Sequence, residues 1–176
     1  MKPELETFLQ QILPVYFAGR YTLEIHTNRK GVSISWCRLA SSDDLLAVAE
    51  SLQRGQARLS TVTATLPERA REAGRHDIAY HFDLDGDTLT VTVQIPLEGE
   101  VDSLSSIFRT AEWNEREFME LYNIKVRGCP SHQRLFLDES IDAGVLDRLV
   151  PFSALVNAAS TKTLWERILG AREEQK

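Results

Sequence analysis

The sequence predicts an α+β fold with a largely antiparallel sheet, helices packed on one face and an extended C-terminal tail. Two runs of alternating apolar and polar residues, 78–84 and 89–95, flank the dipeptide Asp85-Gly86, which is typical of a two-residue hairpin turn. Apolar residues at helical spacing occur both before and after this hairpin. Hairpin-linked strands with interspersed helices favour an antiparallel sheet covered on one face.

The remaining elements follow from the same two periodicities. The hairpin turn predicts three cross-strand pairs, Phe82 with Leu89, Tyr80 with Val91 and Ile78 with Val93. An earlier hairpin is expected to bury one face carrying Tyr21, Leu23 and Ile25 and then Val32, Ile34 and Trp36. The other expected elements are a helix over 5–13, a helix from a capping box at Ser41 to Gly55, a strand over 62–66, a polar link over 67–74 that could form one helical turn, a Ser103-capped helix through Phe108, and helices over 113–122 and 164–169.

Length, charge and cysteine content narrow the class of protein. A chain of 176 residues can bury a core as one domain without disulfides or metals. The formal net charge of -6 argues against a nucleic-acid binder, because phosphate binding needs a concentrated basic face. Two cysteines are too few for a disulfide framework, and the first residues lack a signal-peptide core. The most apolar window, 149–159, is too short to span a membrane, so we expect a cytoplasmic chain without direct membrane insertion.

The sequence lacks the signatures of common cofactor and catalytic sites. It has no glycine-rich nucleotide loop, no nucleophile elbow, no His-Glu-x-x-His and no Cys-x-x-Cys, and two cysteines cannot by themselves hold a typical iron-sulfur cluster. Cys129 and His132 are spaced so that both could reach one metal, but zinc needs about four ligands and the other candidates are scattered. As a nucleophile and base, the same pair lacks an identifiable orienting residue.

The charged residues in and just before the helix predicted over 113–122 form a regular row. Glu112, Arg116 and Glu120 stand four residues apart on one face, so Arg116 can be flanked by two carboxylates. Glu115 and Glu117 lie on either side of this row. The spacing alone favours a solvated stripe of salt bridges, with a partner-binding surface as the alternative.

Residues 113–135 resemble the signature of the 30-kDa subunit family of respiratory complex I and its counterparts in energy-converting hydrogenases and formate hydrogenlyase. The matching pattern is Trp113-x-Glu115-Arg116-Glu117-x-x-Glu120-Leu121-Tyr122-x-Ile124, followed by Gly128-x-Pro130 and Arg134-Leu135. Asn123 stands where the family usually has Gly, and Cys129 where it usually has His, so a role tied to that imidazole does not carry over. The resemblance covers residues 35–140.

The resemblance implies a cofactor-free assembly subunit in the hydrophilic arm of a membrane-associated oxidoreductase, either an energy-converting nickel-iron hydrogenase or an NADH:quinone oxidoreductase. Its partners would be the large catalytic subunit (49-kDa-like) and the small iron-sulfur subunit. Iron-sulfur clusters and nickel-iron or flavin would belong to those partner subunits. The chain would lie peripherally on the cytoplasmic side of the cell membrane, and no activity is expected from it in isolation.

The resemblance also favours a partner-facing or interface-supporting role for the charged helix. We expect residues 1–140 to form one domain with the signature at 111–135, and residues 141–176 to form an extended, partner-docking tail. The predicted interface residues are Glu112, Trp113, Glu115, Arg116, Glu117, Glu120, Tyr122, Arg134 and Phe136.

Two other functions remain open from the residues alone. An independent small enzyme could use Glu115 and Glu117, or the Cys129 and His132 pair, and activity of the isolated chain would support it. A stand-alone protein-binding module could use the polar hairpin face around His81 and Thr90, which would make the chain a monomer never found with redox subunits.

Overall fold

A computed structural model describes residue 9, residues 20–138 and residues 142–146. Helices are interspersed among hairpins and single strands along the described chain. The strands are β1 Tyr21–Thr27, β2 Ser33–Leu39, β3 Arg58–Thr65, β4 Arg75–Leu84, β5 Asp87–Pro96, β6 Glu100–Asp102 and β7 Lys125–Arg127; the α-helices are α1 Leu45–Arg54, α2 Glu68–Glu72 and α3 Ala111–Tyr122. None of the helices in this described part has the length and apolar character needed to cross a bilayer.

Five strands form the main sheet, in the order β1-β2-β5-β4-β3. Neighbouring strands are antiparallel except at the centre, where β2 runs parallel to β5. The parallel pair requires a long crossover, which α1, β3, α2 and β4 provide. The predicted α+β class with a largely antiparallel sheet is therefore confirmed. The short strands β6 and β7 pair separately, in parallel.

The β4–β5 hairpin has the predicted register. Phe82 pairs with Leu89 across a turn whose two central residues, Asp85 and Gly86, have φ angles of 55° and 92°. Both positive angles belong to the tight turn that suits the twist of the two strands. The other predicted pairs, Tyr80 with Val91 and Ile78 with Val93, are also formed.

The β1–β2 hairpin forms, but the prediction for the buried face of its second strand is wrong. Ser33, Ser35 and Cys37 point inward, whereas Ile34 and Trp36 remain 42% and 43% exposed. Val32, in the turn before β2, is also exposed. The register explains this result, because Leu23 lies opposite Cys37 and Ile25 opposite Ser35, and opposed residues share a face. The loop between the strands sets this register, so the alternating apolar residues of β2 lie on the outer face.

The inward face of the sheet, α1 and α3 share one hydrophobic core. Helix α1 contributes Leu45, Val48 and Leu52, and α3 contributes Ala111 and Phe118. Leu9, which belongs to the predicted opening helix over 5–13, is helical and fully buried in this core. The rest of that helix, the predicted helix over 164–169 and most of the predicted tail lie outside the described residues.

Residues 103–108 form a turn rather than the predicted short helix. The backbone N–H groups of Ile107 and Phe108 both bind the Leu104 carbonyl. The Ser103 hydroxyl is directed at Glu115 of α3, and its backbone N–H binds the Arg127 carbonyl at the end of β7. The Ser103 oxygen also accepts the Ser105 N–H at 3.1 Å, so Ser103 caps the turn, which does not continue into a regular helix.

Candidate partner interface

Helix α3 carries most of the predicted interface residues, and it ends at Asn123. This residue adopts the left-handed conformation, with φ of 51°. Glycine is the usual residue at such a helix end, and asparagine is the side chain that tolerates it best. The structure therefore accommodates Asn123 at the position where the signature pattern leads us to expect Gly.

Glu115 lies inside the domain and is fully buried. Its two carboxylate oxygens accept hydrogen bonds from the Ser103 hydroxyl at 2.6 Å and from the Leu104 N–H at 2.7 Å. Burial raises the pKa of Glu115 above its ordinary value, against the opposing effect of these hydrogen bonds and of Cys129. The side chain joins α3 to the turn after β6, so it can support an interface only from beneath the surface.

The Cys129 thiol is buried next to Glu115, whereas His132 is exposed. The thiol donates a hydrogen bond to the Ser131 carbonyl at 3.1 Å. Burial and the negative charge of Glu115 raise the pKa of Cys129, which keeps it in the unreactive thiol form. Across the ranges that the structure describes, no three His, Cys, Asp or Glu side chains are grouped to hold a metal ion.

Arg116 lies at the centre of the charged row, and its side chain is only 12% exposed. Its Nε donates to the Gln133 carbonyl at 2.8 Å and its Nη2 to the Arg134 carbonyl at 3.5 Å. The guanidinium lies 3.9 Å from the Glu112 carboxylate, and 5.7 Å from the centre of the Trp113 ring. One of the two expected carboxylate neighbours is thus present, and the guanidinium mainly binds backbone.

Glu120 is the second buried carboxylate of α3, and its oxygens bind a stretch of backbone rather than Arg116. They accept hydrogen bonds from the N–H groups of Leu135 at 2.8 Å, of Phe136 at 3.1 and 3.2 Å, and of Leu137. Burial acts to raise the pKa of Glu120, but these hydrogen bonds and the positive charge of Arg134 together lower it.

We call residues 131–138 the strap, because α3 binds their backbone through Arg116 and Glu120. Within the strap, Arg134 Nη1 donates to the Asp138 carbonyl at 2.8 Å. Further along, the N–H of Gly144 binds the Glu120 carbonyl at 2.8 Å and that of Leu146 binds the Leu121 carbonyl at 2.9 Å. The described chain therefore still contacts α3 after the boundary that the sequence predicts at residue 140.

Two large apolar side chains of the signature region are exposed, Trp113 at 62% and Phe136 at 63%. We call these two residues, with the exposed Arg134, the aromatic patch. Arg116 connects its parts, since its guanidinium lies against the Trp113 ring and binds the carbonyl of Arg134. The other predicted surface residues, Glu112, Glu117 and Tyr122, are half-buried, and the Tyr122 ring packs edge-on against His76 at 5.9 Å.

A second exposed surface lies on the outer face of the sheet. Trp36 packs edge-on against His26 with ring centres 6.1 Å apart, beside a shallow depression of about 570 Å³. On β4, the two ring nitrogens of His81 lie 3.1 Å from the hydroxyls of Thr63 and Thr90, which belong to the two neighbouring strands. Burial lowers the pKa of His81, which favours the neutral ring. The depression is lined by Thr22, Glu24, His26, Trp36, Arg38 and Thr92.

Sequence reasoning missed two contributors to the signature region. Ser103 and the Leu104 N–H are the partners of Glu115, and neither carries a recognisable motif. The sequence also could not predict that Glu120 binds the backbone of 135–137, because nearly every residue type supplies an N–H group. The unusual density of glutamates around Arg116 was the available signal, but their spacing does not reveal which of them turn inward.

Comparison with known proteins identifies the family of the chain. Residues 39–154 match the family model described as "Respiratory-chain NADH dehydrogenase, 30 Kd subunit". The chain is 34% identical over 65 residues to the second C subunit of NADH-quinone oxidoreductase from Rhizobium etli, an alignment that covers 31% of this chain and 35% of the relative. It is 32% identical over 102 residues to the C subunit of the same enzyme from Rhodopseudomonas palustris strain TIE-1, covering 56% and 49%. The chain thus spans half or less of the length of these relatives.

Solved structures share the fold at low sequence identity. The trypsin-resistant fragment of Nqo5 superposes with a TM-score of 0.53 at 20% identity, covering 73% of this chain and 99% of the fragment. A chain of the membrane-bound sulfane sulfur reductase, an archaeal respiratory membrane complex, superposes with a TM-score of 0.61 at 17% identity, covering 78% and 79%. With a family model that matches well over half of its residues, the chain belongs to the family of the 30-kDa subunit of respiratory-chain NADH dehydrogenase.

Proposed function

We propose that this chain is an assembly subunit in the hydrophilic arm of a complex I-like, membrane-associated oxidoreductase. It positions the large catalytic subunit and the small iron-sulfur subunit for electron transfer, and the redox cofactors belong to those partners. Family membership supports this proposal. The structural observation that supports it is the aromatic patch, in which Trp113 and Phe136 are exposed and Arg116 contacts both the Trp113 ring and the backbone of the strap.

The aromatic patch has the composition of a binding hot spot. Trp, Tyr and Arg dominate such sites, because they combine a large apolar area with a directional polar group. Trp113, Arg134 and Phe136 would contact the partner directly, with Glu112 and Glu117 at the rim. Glu115, Arg116, Glu120 and Tyr122 would act from beneath, by holding α3 and the strap in place. Residues 141–176 would extend the contact as a tail.

The proposal is tested with tagged full-length chain, gently solubilised membranes of the native organism and mass spectrometry of the co-purifying chains. Trp113→Ala combined with Phe136→Ala should remove the redox partners. Trp36→Ala is the matched control, because it deletes an exposed tryptophan from the outer face of the sheet. A large partner with two Cys-x-x-Cys pairs would indicate a nickel-iron hydrogenase, and flavin- and quinone-linked partners an NADH:quinone oxidoreductase.

A stand-alone binding module is the second candidate, and the exposure of Ile34 and Trp36 on the outer face of the sheet favours it. The same experiment separates the two candidates. If Trp36→Ala removes the partners and the double variant at the aromatic patch retains them, the outer face is the binding surface. If the wild-type chain captures no redox subunit, the assembly role is refuted.

A further inference from the structure

We propose that Arg116 and Glu120 form a clasp that folds the strap before any partner arrives, and that the negative charge at position 120 closes it. The aromatic patch would then be a preformed surface rather than one that orders on binding. The clasp itself concerns only this chain and can be tested without a partner. Its consequence for binding rests on the proposed function.

The two residues of the clasp recognise complementary backbone groups. Arg116 and Glu120 lie one helical turn apart on α3 and so face the same segment. The arginine donates to the carbonyls of residues 133 and 134, and the glutamate accepts from the N–H groups of 135–137. Arg116 therefore supplies donors for the two carbonyls, and Glu120 supplies acceptors for the three N–H groups that follow them in sequence.

The strap depends on this match because it forms neither a helix nor a strand. The N–H groups of 135–137 bind to the Glu120 carboxylate, where a sheet or helix would supply backbone carbonyls. Polar backbone groups taken from water need such partners. Because Phe136 donates its N–H to this carboxylate, the clasp also fixes the backbone from which the aromatic side chain extends.

A carboxylate fits this site and an amide does not. Leu135 binds Oε2, Leu137 binds Oε1 and Phe136 binds both, so both oxygens of Glu120 act as acceptors. In glutamine one oxygen is replaced by an NH₂ group, which can only donate. Glu120→Gln therefore sets a donor against at least one backbone N–H, although the side-chain shape is almost unchanged.

The hydrogen bonds from the strap and the positive charge of Arg134 favour the ionised form of Glu120 at neutral pH, whereas the nearby carboxylates would oppose it. Arg134 faces it from the strap, Arg116 and Glu117 lie on its own helix, and Asp142 precedes the Gly144 N–H that binds the Glu120 carbonyl. The pKa of Glu120 is lowered in the folded chain. The stability that it contributes is therefore complete above the unfolded pKa, and is lost only as the pH falls through the folded value.

Hydrogen exchange in the full-length chain without a partner tests the clasp. At neutral pH, Glu120→Gln should speed exchange at amides 135–137 by about tenfold or more, with the amides of α3 still protected, because hydrogen bonds to a charged group are lost. Glu117→Gln is the matched control on the same helix and should exchange as the wild type does. Unchanged protection at 135–137 in Glu120→Gln would overturn the proposal.

Two further measurements keep the test decisive if Glu120→Gln folds poorly. In Glu120→Ala, added formate should restore protection at 135–137, because the three N–H groups and Arg134 are left around a vacated anion site. In wild-type chain, the amide shifts of residues 135–137 should titrate together, with one midpoint below the ordinary pKa of glutamate. No effect of formate, or three unrelated midpoints, would each count against the clasp.

The proposed function can fail independently of the clasp. Phe136→Ala removes a partner contact but no backbone group, so it should leave the protection of 135–137 at the wild-type level. If Trp113→Ala combined with Phe136→Ala keeps its redox partners while amides 135–137 stay protected, the aromatic patch is not the binding surface, although the clasp stands. If protection at 135–137 is already absent in the wild type, the clasp is refuted. The strap would then become ordered only when the partner binds.

Discussion

Replacing Glu115 by alanine or glutamine tests whether this buried carboxylate is structural. In Glu115→Ala the Leu104 N–H loses its acceptor, which costs about 1–3 kcal/mol, and one buried methylene group is lost at about 0.8 kcal/mol. The Ser103 hydroxyl keeps a partner, since Ser105 lies 2.6 Å away. We therefore expect a loss of about 3 kcal/mol in the free energy of unfolding. In Glu115→Gln an amide oxygen can still accept from Leu104, so the loss should be about 1 kcal/mol or less at neutral pH.

The pH dependence sharpens this prediction. Because burial raises the folded pKa of Glu115, its contribution to stability is complete below the unfolded pKa and declines as the pH rises through the folded value. Glutamine does not titrate, so the advantage of the wild type over Glu115→Gln should shrink between acidic and neutral pH. Urea unfolding followed by circular dichroism at several pH values measures this difference. A Glu115→Gln variant as unstable as Glu115→Ala, with a pH-independent difference from wild type, would refute the structural role of this carboxylate.

Three other predictions concern the core, the end of α3 and the thiols. Phe82→Ala should lower the free energy of unfolding by about 3–5 kcal/mol in urea titrations, because its buried ring packs against Phe108 at 5.4 Å; a loss below about 1 kcal/mol would contradict that packing. Asn123→Gly should raise the melting temperature slightly, because glycine adopts the left-handed conformation without strain, and a clear decrease would be inconsistent with φ of 51°. Burial raises the pKa of Cys37 to about 12 and also raises that of Cys129, so a thiol reagent at pH 8 should label both only after denaturant is added.

The β4–β5 hairpin was predictable because its signals are local. Asp85 and Gly86 supply the turn, and the flanking residues alternate cleanly, so the pairing of Phe82 with Leu89 follows from a two-residue loop. The β1–β2 hairpin has a longer loop, and one residue of shift moves every side chain to the other face. The serines at 33 and 35 are buried although they are small and polar, which no hydrophobic pattern reveals.

The sequence located the signature helix, but it did not reveal which of the charged side chains on that helix point into the domain. Glu115 and Glu120 look like surface carboxylates in a charged helix, and both are buried. The groups that donate to them come from residues 103–104 and 135–137, which reach α3 only once β6, β7 and the strap are in place. The placement of the predicted interface residues on a partner-binding surface remains a prediction.

The sequence by itself determined the α+β class, the central hairpin, the position of α3 and the resemblance to a family. These depend on periodicity, turn residues and a contiguous signature, all of which are local along the chain. Only the tertiary structure decided which face of β2 is buried and which glutamates of α3 turn inward. The physical reason is that these outcomes depend on contacts of backbone N–H groups and hydroxyls between segments distant in sequence. Such groups do not produce a recognisable residue pattern.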